Sequence, residues 1–439
     1  MTALPPRSAF PPGFLFGAAT SSHQIEGSEQ GGAGPSHWDT FAATPGTIVD
    51  GSDARLACDH LRHWQGDLDL VAGAGLDIYR FSISWPRVLP QGTGAINAEG
   101  LAFYDRLVDG MLARGLKPAL TLYHWDLPAA LADRGGWTNR DTALRMADYA
   151  ALIARHLGDR LWSTAPVNEP WCVAWLSHFL GAHAPGLRDI RAAARATHHI
   201  LLAHGLSIAA LRAEGLGNLG AVVNLEQPIP ADAAATTATA RFDAIMNRLF
   251  LEPMFQARYP DLALEGLAPH LPDGWQDDMA TIAAPLDWLG INYYTCKRIA
   301  AAPGLWPAYA EAPAQGPLTS MGWERHPQGL TALLARVARD YSGALPLLVT
   351  ENGTADPMGA PAGTDDGDRI AYLAAHLDAA RQAIAQGVPL AGYIVWSLMD
   401  NFEWALGYGQ CFGLVAVDRA SLRRTPKASY HALAQAMRQ

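Results

Sequence analysis

The chain has 439 residues, of which 49% are hydrophobic and 17% are charged, and its formal net charge at pH 7 is −10. This length is enough for two or three ordinary domains or for one large α/β barrel with long loops. Because the chain contains no block of like charges, its acidic balance disfavours nucleic acid and anionic membranes as partners.

The amino terminus and the cysteines predict where the protein is located. Residues 1–7 contain no apolar segment of the kind that a secretory signal needs, and no stretch approaches about 18 uncharged apolar residues. Cys58, Cys172, Cys296 and Cys411 are too widely spaced for a CxxC or other metal-ligand motif. We therefore expect free thiols in a cytoplasmic protein, with no metal and no cofactor.

Short β-type runs alternate with amphipathic helical stretches along the whole chain, and no segment has the composition of a domain linker. Such alternation is typical of repeated βα units around a parallel sheet. Because eight parallel strands close a barrel, we predict an α/β fold in which residues 1–439 form a single (β/α)8 TIM barrel with long βα loops. The predicted strands are residues 14–17, 77–82, 117–122, 161–167, 219–224, 286–292, 346–350 and 390–397.

Two of the helical stretches have a regular apolar pattern. Apolar residues recur at three- and four-residue spacing over residues 61–71 and 101–112, and glycines follow both runs. We therefore predict amphipathic helices there. The longest connections are predicted to be loops near residues 28–52, 227–240, 301–327 and 355–366.

Two further helices are predicted from their start signals. Thr138, with Asp141 three residues later, resembles a capping box for a helix that ends near Gly158. Thr425 and Pro426 predict a cap and a first-turn proline for the last helix.

Polar and flat aromatic side chains follow nearly every predicted strand. In a barrel of this kind, the carboxyl ends of the strands form the functional face. Amides, imidazoles and carboxylates hydrogen-bond pairs of hydroxyls, and tryptophan packs on an apolar ring face, so the set suits a neutral polyhydroxylated ligand. These residues are Gln24, Arg80, His124, Trp125, Asn168, Glu169, Asn292, Tyr294, Glu351, Trp396, Glu403 and Trp404.

Glu169 stands at the end of the fourth predicted strand, between Asn168 and Pro170. Pro170 has no N–H with which to continue a ladder, and it favours an extended conformation for Glu169. A carboxylate at the end of an apolar strand is unfavourable unless it is neutralised or used. Taken alone, the motif is equally compatible with a surface-loop acid, because strand-to-helix turns often contain Asn and Glu.

The other candidates also have structural interpretations. Gln24 and Asn292 are each compatible with satisfied loop amides, His124 with a core histidine and Trp396 with barrel packing. Arg80, inside an apolar run, requires a carboxylate partner. The three histidines on one predicted helix, His198, His199 and His204, include no i, i+4 ligand pair, which favours helix packing over a metal site.

Glu351 follows the seventh strand, so it is predicted to face Glu169 across the same barrel mouth. Gly353 frees the backbone just beyond it, and the alternative interpretation of Glu351 is a turn acid. Two carboxyls across a sugar-sized gap are what glycoside cleavage requires.

Motifs that include these glutamates occur in order from residue 10 to about residue 430, and together they resemble those of glycoside hydrolase family 1, the β-glucosidases. The resemblance implies a retaining (β/α)8 barrel enzyme with Glu169 as acid/base and Glu351 as nucleophile. It predicts a carboxyl separation of about 5 to 5.5 Å. The motifs are Phe16-Gly-Ala-Ala-Thr, Gln24-Ile-Glu-Gly, Tyr79-Arg-Phe-Ser-Ile-Ser-Trp-Pro-Arg, His124-Trp-Asp-Leu-Pro, Asn168-Glu-Pro, Asn292-Tyr-Tyr, Thr350-Glu-Asn-Gly and Trp396-Ser-Leu-Met-Asp-Asn-Phe-Glu-Trp.

The same resemblance implies a substrate pocket for a small-molecule β-glycoside or oligosaccharide, most simply one with a terminal non-reducing β-D-glucosyl residue. Asn168 is expected to hold the sugar 2-hydroxyl and Glu403 to bridge two others, while Arg80 supports Glu351. Family members that act on glucose, galactose or fucose share this pocket. The implied substrate-binding residues are Gln24, His124, Trp125, Asn168, Asn292, Tyr294, Trp396, Glu403, Trp404 and Phe412.

Two departures from the family pattern concern packing and the leaving group. Residues 164–167 are Thr-Ala-Pro-Val where the family usually has Trp-x-Thr-Phe, which alters the packing beneath Glu169. Gln410 and Cys411 precede Phe412 where many members have a basic residue, which affects the expected preference for the leaving group.

Other functions remain as alternatives. A 6-phospho-β-glycosidase would need Lys or Arg near the eighth strand end, whereas residues 403–411 contain one acid and no other charge. A transglycosidase would use the same residues. A non-catalytic glycan-binding barrel would be expected to lack one of the two carboxylates.

Overall fold

The structure is a computed structural model that describes residues 3–357 and 366–439. Its main feature is a sheet of eight parallel strands, which we label β1 (Leu15–Ala19), β2 (Ile78–Ser82), β3 (Lys117–Tyr123), β4 (Ser163–Val167), β5 (Gly220–Asn224), β6 (Trp288–Asn292), β7 (Leu347–Asn352) and β8 (Leu390–Trp396). They are hydrogen-bonded in the order β4-β3-β2-β1-β8-β7-β6-β5. All eight predicted strands and the predicted α/β barrel are confirmed.

The barrel closes between β4 and β5 through an incomplete ladder. Two parallel bridges join these strands, one between Thr164 and Leu219 and one between Asn168 and Val222. Pro166 lies between the bridges and has no N–H to donate to the neighbouring strand. The proline that departs from the family pattern therefore coincides with a gap in the pairing directly beneath Glu169.

The main helices in the described ranges are α1 (His60–Gly73), α2 (Ala98–Ala113), α3 (Arg140–Leu157), α4 (Ile190–Ala213), α5 (Leu249–Gln256), α6 (Pro327–Val337) and α7 (Gly367–Ala385), which lie between successive strands, and α8 (Ala428–Met437), which follows β8. The two helices predicted from apolar spacing, α1 and α2, are confirmed. Among the helices in the described ranges, none combines the length and the apolar character that crossing a membrane requires.

Both predicted start signals are wrong in detail. The N-cap of α3 is Asn139, whose side chain accepts a hydrogen bond from the Asp141 N–H, while Thr138 ends a short 3-10 helix. Thr425 and Pro426 lie in a short strand, Arg424–Pro426, that pairs with Val415–Val417. Proline is tolerated in a strand of this kind because it lies at an edge.

The predicted loops contain more structure than the sequence indicated. Residues 227–240 and 301–327 contribute to a three-stranded sheet of Gln227–Pro230, Cys296–Ala301 and Tyr309–Glu311. Of the loop predicted at 355–366, residues 358–365 lie outside the described residues.

The remaining short elements are the strands Asp356–Pro357 and Gln410–Cys411, the α-helices Ser22–Ile25, His37–Ala42, Trp85–Val88, Ala129–Ala132, Thr236–Asp243, Asp261–Leu267 and Met279–Ile282, the 3-10 helices Arg7–Ala9, Gly136–Thr138, Ala233–Ala235, Ala268–His270, Trp275–Asp278 and Trp404–Leu406, and the π-helices Cys172–Leu176, Ala244–Arg248 and Ala338–Ser342.

A buried ion pair fixes the long segment between β1 and β2. The Arg87 Nε donates to Glu26 Oε2 at 3.0 Å, and the Tyr104 hydroxyl lies 2.9 Å from the same oxygen. Arg87 is 1% exposed and Glu26 is 2% exposed, so neither charge has water as an alternative partner. A second guanidinium nitrogen donates to the carbonyl oxygen of Gly27 at 2.8 Å, which holds the loop backbone as well.

We expect Arg87→Met to lower the free energy of unfolding by about 3 to 5 kcal/mol, because it leaves the Glu26 carboxylate buried without its ionic partner. The double variant Arg87→Met/Glu26→Leu removes both charges and should lose less. Urea unfolding followed by circular dichroism measures both. A double variant as destabilised as the single one would contradict the assignment of this cost to an uncompensated charge.

Candidate active site

A cavity of about 370 Å³ lies at the carboxyl ends of the barrel strands. Ten of the residues predicted to form the site line it, and they come from the ends of β3, β4, β6, β7 and β8 and from the loop after β8. These are His124, Trp125, Glu169, Asn292, Tyr294, Glu351, Trp396, Glu403, Trp404 and Phe412. Residues far apart in the sequence are therefore brought together by the closure of the barrel.

Glu169 has a left-handed backbone, with φ of +49°, and not the extended one predicted from Pro170. Its N–H donates to the Val222 carbonyl oxygen at 3.0 Å, and its own carbonyl oxygen accepts from the N–H of Cys172 at 3.0 Å. These bonds hold the chain in a conformation that costs a non-glycine residue about 1 to 3 kcal/mol. The sharp turn places the side chain in the cavity, where an extended residue would continue the strand.

Glu351 is held at both oxygens by residues from other strands. The Arg80 guanidinium, on β2, donates to Glu351 Oε1 at 2.5 Å, and the Tyr294 hydroxyl donates to Oε2 at 2.8 Å. Just beyond, Gly353 is required by space, since a Cβ there would overlap the Trp396 carbonyl oxygen. The sequence predicted that Arg80 pairs with a carboxylate of the site, and the structure shows that this carboxylate is Glu351.

A chain of hydrogen bonds joins the two glutamates. The second terminal nitrogen of Arg80 donates to Asn168 Oδ1 at 2.7 Å, and Asn292 Nδ2 lies 3.1 Å from that same oxygen. Asn292 Nδ2 also donates to Glu169 Oε1 at 2.7 Å. Asn168 and Asn292 are fully buried, so their geometry is fixed by protein contacts.

The two carboxyls therefore have different electrostatic surroundings. Burial and the nearby charge of Glu351 raise the pKa of Glu169 to about 8. Burial also raises the pKa of Glu351, but Arg80 and Tyr294 oppose that effect. At neutral pH, the arrangement favours a protonated Glu169 beside an ionised Glu351.

Aromatic rings and a third carboxyl complete the cavity wall. The His124 ring stacks near Trp396 and Trp404, with centroids 5.7 and 6.1 Å apart and interplanar angles of 18° and 12°. Burial and the Arg80 charge hold the pKa of His124 well below its usual value, so its ring is neutral. Oε2 of Glu403 is buried without a hydrogen-bond partner among the described residues. Burial, with Glu351 and Glu169 nearby, raises the pKa of Glu403 to about 8.

Three predicted site residues lie behind the cavity wall. Arg80 and Asn168 contact the lining residues as described above. Gln24 is fully buried, and its Nε2 donates to Asn401 Oδ1 and to the Phe402 carbonyl oxygen, both at 2.9 Å. Its Oε1 accepts from the Ser21 hydroxyl at 2.6 Å, so both ends of the amide are engaged within the protein.

The structure also brings residues into the cavity wall that the site prediction omitted. Cys172 lies two residues after the Asn-Glu-Pro motif, Asn224 is the last residue of β5, and Glu226 lies just beyond it. These three residues could have been predicted, because each lies at or shortly after the end of a strand. Met321 and Trp323 come from a connecting segment with no local sequence signal. The omitted lining residues are Trp171, Cys172, Leu176, Leu180, His183, Asn224, Leu225, Glu226, Thr295, Lys297, Glu311, Met321, Trp323 and Leu406.

One cluster within residues 3–357 and 366–439 has donor atoms close enough for a metal ion, formed by Cys296, Glu324 and His326. Arg298 donates to both oxygens of Glu324, at 2.9 and 3.0 Å. The carboxylate is therefore already neutralised by an arginine, which disfavours a cation there. His198, considered above for a metal site, instead contacts the Tyr259 hydroxyl and Asp278.

Known proteins resemble this chain over nearly its whole length. The model of glycosyl hydrolase family 1 matches residues 6–439. A β-glucosidase of Agrobacterium sp. is 45% identical over 438 residues, covering 97% of this chain and 95% of that protein. β-Glucosidase A of Thermotoga maritima is 43% identical over 427 residues, covering 96% of each. The solved structure of the Thermotoga maritima β-glucosidase in complex with deoxynojirimycin has a TM-score of 0.94 at 41% identity, covering 98% of each chain.

We expect the Glu169 carboxyl to titrate near pH 8 in the ligand-free protein. The variant Glu351→Gln removes the neighbouring negative charge, so the pKa of Glu169 should fall. Carbon NMR of protein labelled at the glutamate carboxyl measures this, with Glu169→Gln to assign the resonance. A pKa that stays the same or rises in Glu351→Gln would show that the two carboxyls are not coupled.

Proposed function

This chain belongs to glycosyl hydrolase family 1, and we propose that it hydrolyses terminal non-reducing β-D-glucosyl residues with retention of the anomeric configuration. The names of the similar proteins support the choice of glucose. The observation that supports the mechanism most directly is the pair of buried carboxyls in one cavity, of which only Glu351 is paired with an arginine. That asymmetry gives the two groups different roles.

In the first step, the Glu351 carboxylate forms a bond to the anomeric carbon while the glycosidic bond breaks. The departing oxygen takes the proton of Glu169, so the products are a glycosyl ester on Glu351 and a neutral aglycone. Arg80 keeps Glu351 ionised before the step, and the raised pKa of Glu169 keeps its proton available at neutral pH.

In the second step, water attacks the anomeric carbon and Glu169, now a carboxylate, takes a proton from it. The ester bond to Glu351 breaks, and both glutamates return to their starting protonation states. Two inversions at one carbon give net retention. A carboxyl separation of about 5 to 5.5 Å stays a prediction of this proposal.

The cavity wall supports recognition of a neutral sugar. Trp396 and Trp404 offer flat apolar faces to a ring, and the unpartnered oxygen of Glu403 is available to hydroxyls. Asn168 is bonded to Arg80, Asn292 and His124, so we propose a positioning role for it. Its Nδ2 has two N–H groups and one contacts His124, so the predicted contact with the 2-hydroxyl stays open to the other. Both N–H groups of Gln24 are engaged with Asn401 and Phe402, so a donor contact from Gln24 to the sugar would require its amide to reorient.

A phosphorylated sugar is disfavoured by the charges in the cavity. Among the lining residues that the structure describes, Lys297 is the one lysine or arginine, and its Nζ lies 2.8 Å from Glu311 Oε2. At neutral pH Glu351 is ionised, while Glu169 and Glu403, whose pKa values are raised to about 8, are mostly protonated. A dianionic phosphate would therefore be repelled by Glu351, and Lys297, already paired with Glu311, is not a free cation to offset that repulsion.

We also propose that the protein acts as one catalytic domain in a reducing compartment such as the cytoplasm. The match to the family model spans residues 6–439. The four cysteines are free thiols, and three of them are buried, which supports a compartment where disulfides are not formed.

We expect Glu169→Ala to lower kcat/KM for aryl β-glucosides with poor leaving groups by roughly 10²- to 10⁴-fold, and for activated ones far less, because only poor leaving groups need protonation. Glu351→Ala should abolish turnover of both kinds of substrate while the circular dichroism spectrum stays unchanged. Equal losses on good and poor leaving groups in Glu169→Ala would argue against its role as acid. Undiminished hydrolysis by Glu351→Ala would refute the nucleophile.

Proton NMR of the sugar released early in the reaction tests the stereochemical proposal. We expect β-glucose to appear first and the α-anomer to accumulate only at the rate of mutarotation, because two displacements restore the original configuration. The matched control is α-glucose dissolved in the same buffer without enzyme. Initial release of the α-anomer would mean inversion and would exclude the double displacement.

A further inference from the structure

Cys172 contacts Glu169 through both its backbone and its side chain. Its N–H donates to the Glu169 carbonyl oxygen at 3.0 Å, and its Sγ lies 3.1 Å from Glu169 Oε2. Cys172 begins a π-helical turn, Cys172–Leu176, which directly follows Trp171. Such widened turns are frequent at functional sites, and this one directs the thiol back toward the carboxyl three residues earlier.

The thiol completes a clamp on the carboxyl. Asn292 Nδ2 donates to Oε1 of Glu169 at 2.7 Å, and Cys172 holds Oε2. The two donors come from different parts of the barrel, β6 and the turn after β4, so together they fix the plane of the carboxyl. No other hydrogen-bond donor contacts Oε2 within the described residues.

We propose that Cys172 is a positioning residue for the acid/base glutamate, donating its S–H to Oε2 most strongly when Glu169 is a carboxylate. This inference rests on the proposed function of Glu169. The carboxylate exists after the proton has passed to the leaving group and until water is deprotonated. A hydrogen bond to an ionised acceptor is about twice as strong as one between neutral groups, so the contact favours that interval of the reaction.

The choice of a thiol has a chemical reason. A hydroxyl in the same place would donate more strongly and would lower the pKa of Glu169 further, leaving less of the acid protonated at neutral pH. A side chain with no donor would leave the Glu169 carboxyl held by Asn292 alone, so its plane would no longer be fixed. The thiol lies between these extremes, because it orients the carboxyl and still permits it to hold a proton.

The surroundings of Cys172 keep it in the donor form. Burial, and then the negative charge of Glu169, raise the pKa of Cys172 well above its usual value. Asn224 Nδ2 lies 3.8 Å from Sγ and donates its N–H to the sulfur. With a lone pair engaged by Asn224, the S–H is free to point toward Glu169.

The pH dependence of kcat/KM for an aryl β-glucoside with a poor leaving group tests this inference. Loss of the donor in Cys172→Ala should move the alkaline limb upward by about half a pH unit, since a thiol is a weak donor. Cys172→Ser should move it downward, because the hydroxyl is the stronger donor. Cys296→Ala, which removes a buried thiol that does not contact Glu169, is the matched control and should leave the limb in place.

An alkaline limb that does not move upward in Cys172→Ala would overturn the inference while leaving the proposed function intact, provided the unaltered enzyme hydrolyses the substrate. If Cys172→Ala does not fold, Cys172→Ser decides, and a limb at or above that of the unaltered enzyme rejects the proposal. If the unaltered protein hydrolyses no β-glycoside, the proposed function fails instead. The carboxyl titration of Glu169 by carbon NMR in the same variants then tests the thiol contact without activity.

Discussion

The site depends on one buried ion pair between Arg80 and Glu351. Both side chains are only 4% exposed, and they lie on β2 and β7, which are not neighbours in the sheet. The sheet must therefore curve between these strands for the two side chains to meet. Burying two charges in this way contributes little net stability, because the loss of hydration offsets most of the attraction. Its effect is to favour the ionised form of Glu351 over that of Glu169, and the division of roles proposed for the two carboxyls rests on that difference.

Backbone strain is concentrated around the same cavity. Trp125, Glu169 and Trp404 line it, and all three have positive φ, at +80°, +49° and +50°. Such conformations cost about 1 to 3 kcal/mol each for residues other than glycine, and they persist only where surrounding structure fixes them. Here hydrogen bonds supply part of that constraint. The indole Nε1 of Trp125, for example, donates to the Asn168 carbonyl oxygen at 2.9 Å, which ties the ends of β3 and β4 together.

The barrel was predictable from sequence because short, mainly apolar runs alternate with helical stretches, as expected for parallel strands that are buried on both faces. The position of the cavity was predictable because the motifs fall at the strand ends, and ten of the predicted residues line it, while their roles stay predictions. What could not be read locally depends on tertiary contacts. The left-handed turn at Glu169 opposes the preference set by Pro170, and Trp323 reaches the cavity from a segment without a motif. Thr425 and Pro426 have the composition of a helix start, yet pairing with a neighbouring strand prevails over that propensity.

The interrupted ladder at Pro166 gives Glu169 a different backbone support from that of Glu351. Glu351 is the penultimate residue of β7, which pairs with β6 and β8 with a shift of register on each side after Val349. Glu169 follows β4, whose seam with β5 has two bridges. Because the pairing beneath Glu169 is sparse, its position depends on contacts at the rim: its N–H donates to the Val222 carbonyl oxygen, and its carboxyl contacts Asn292 and Cys172. The barrel therefore supports its two facing carboxyls by different means. Glu351 is held by its own strand and by the guanidinium of Arg80, whereas Glu169 is held by side chains of two other segments.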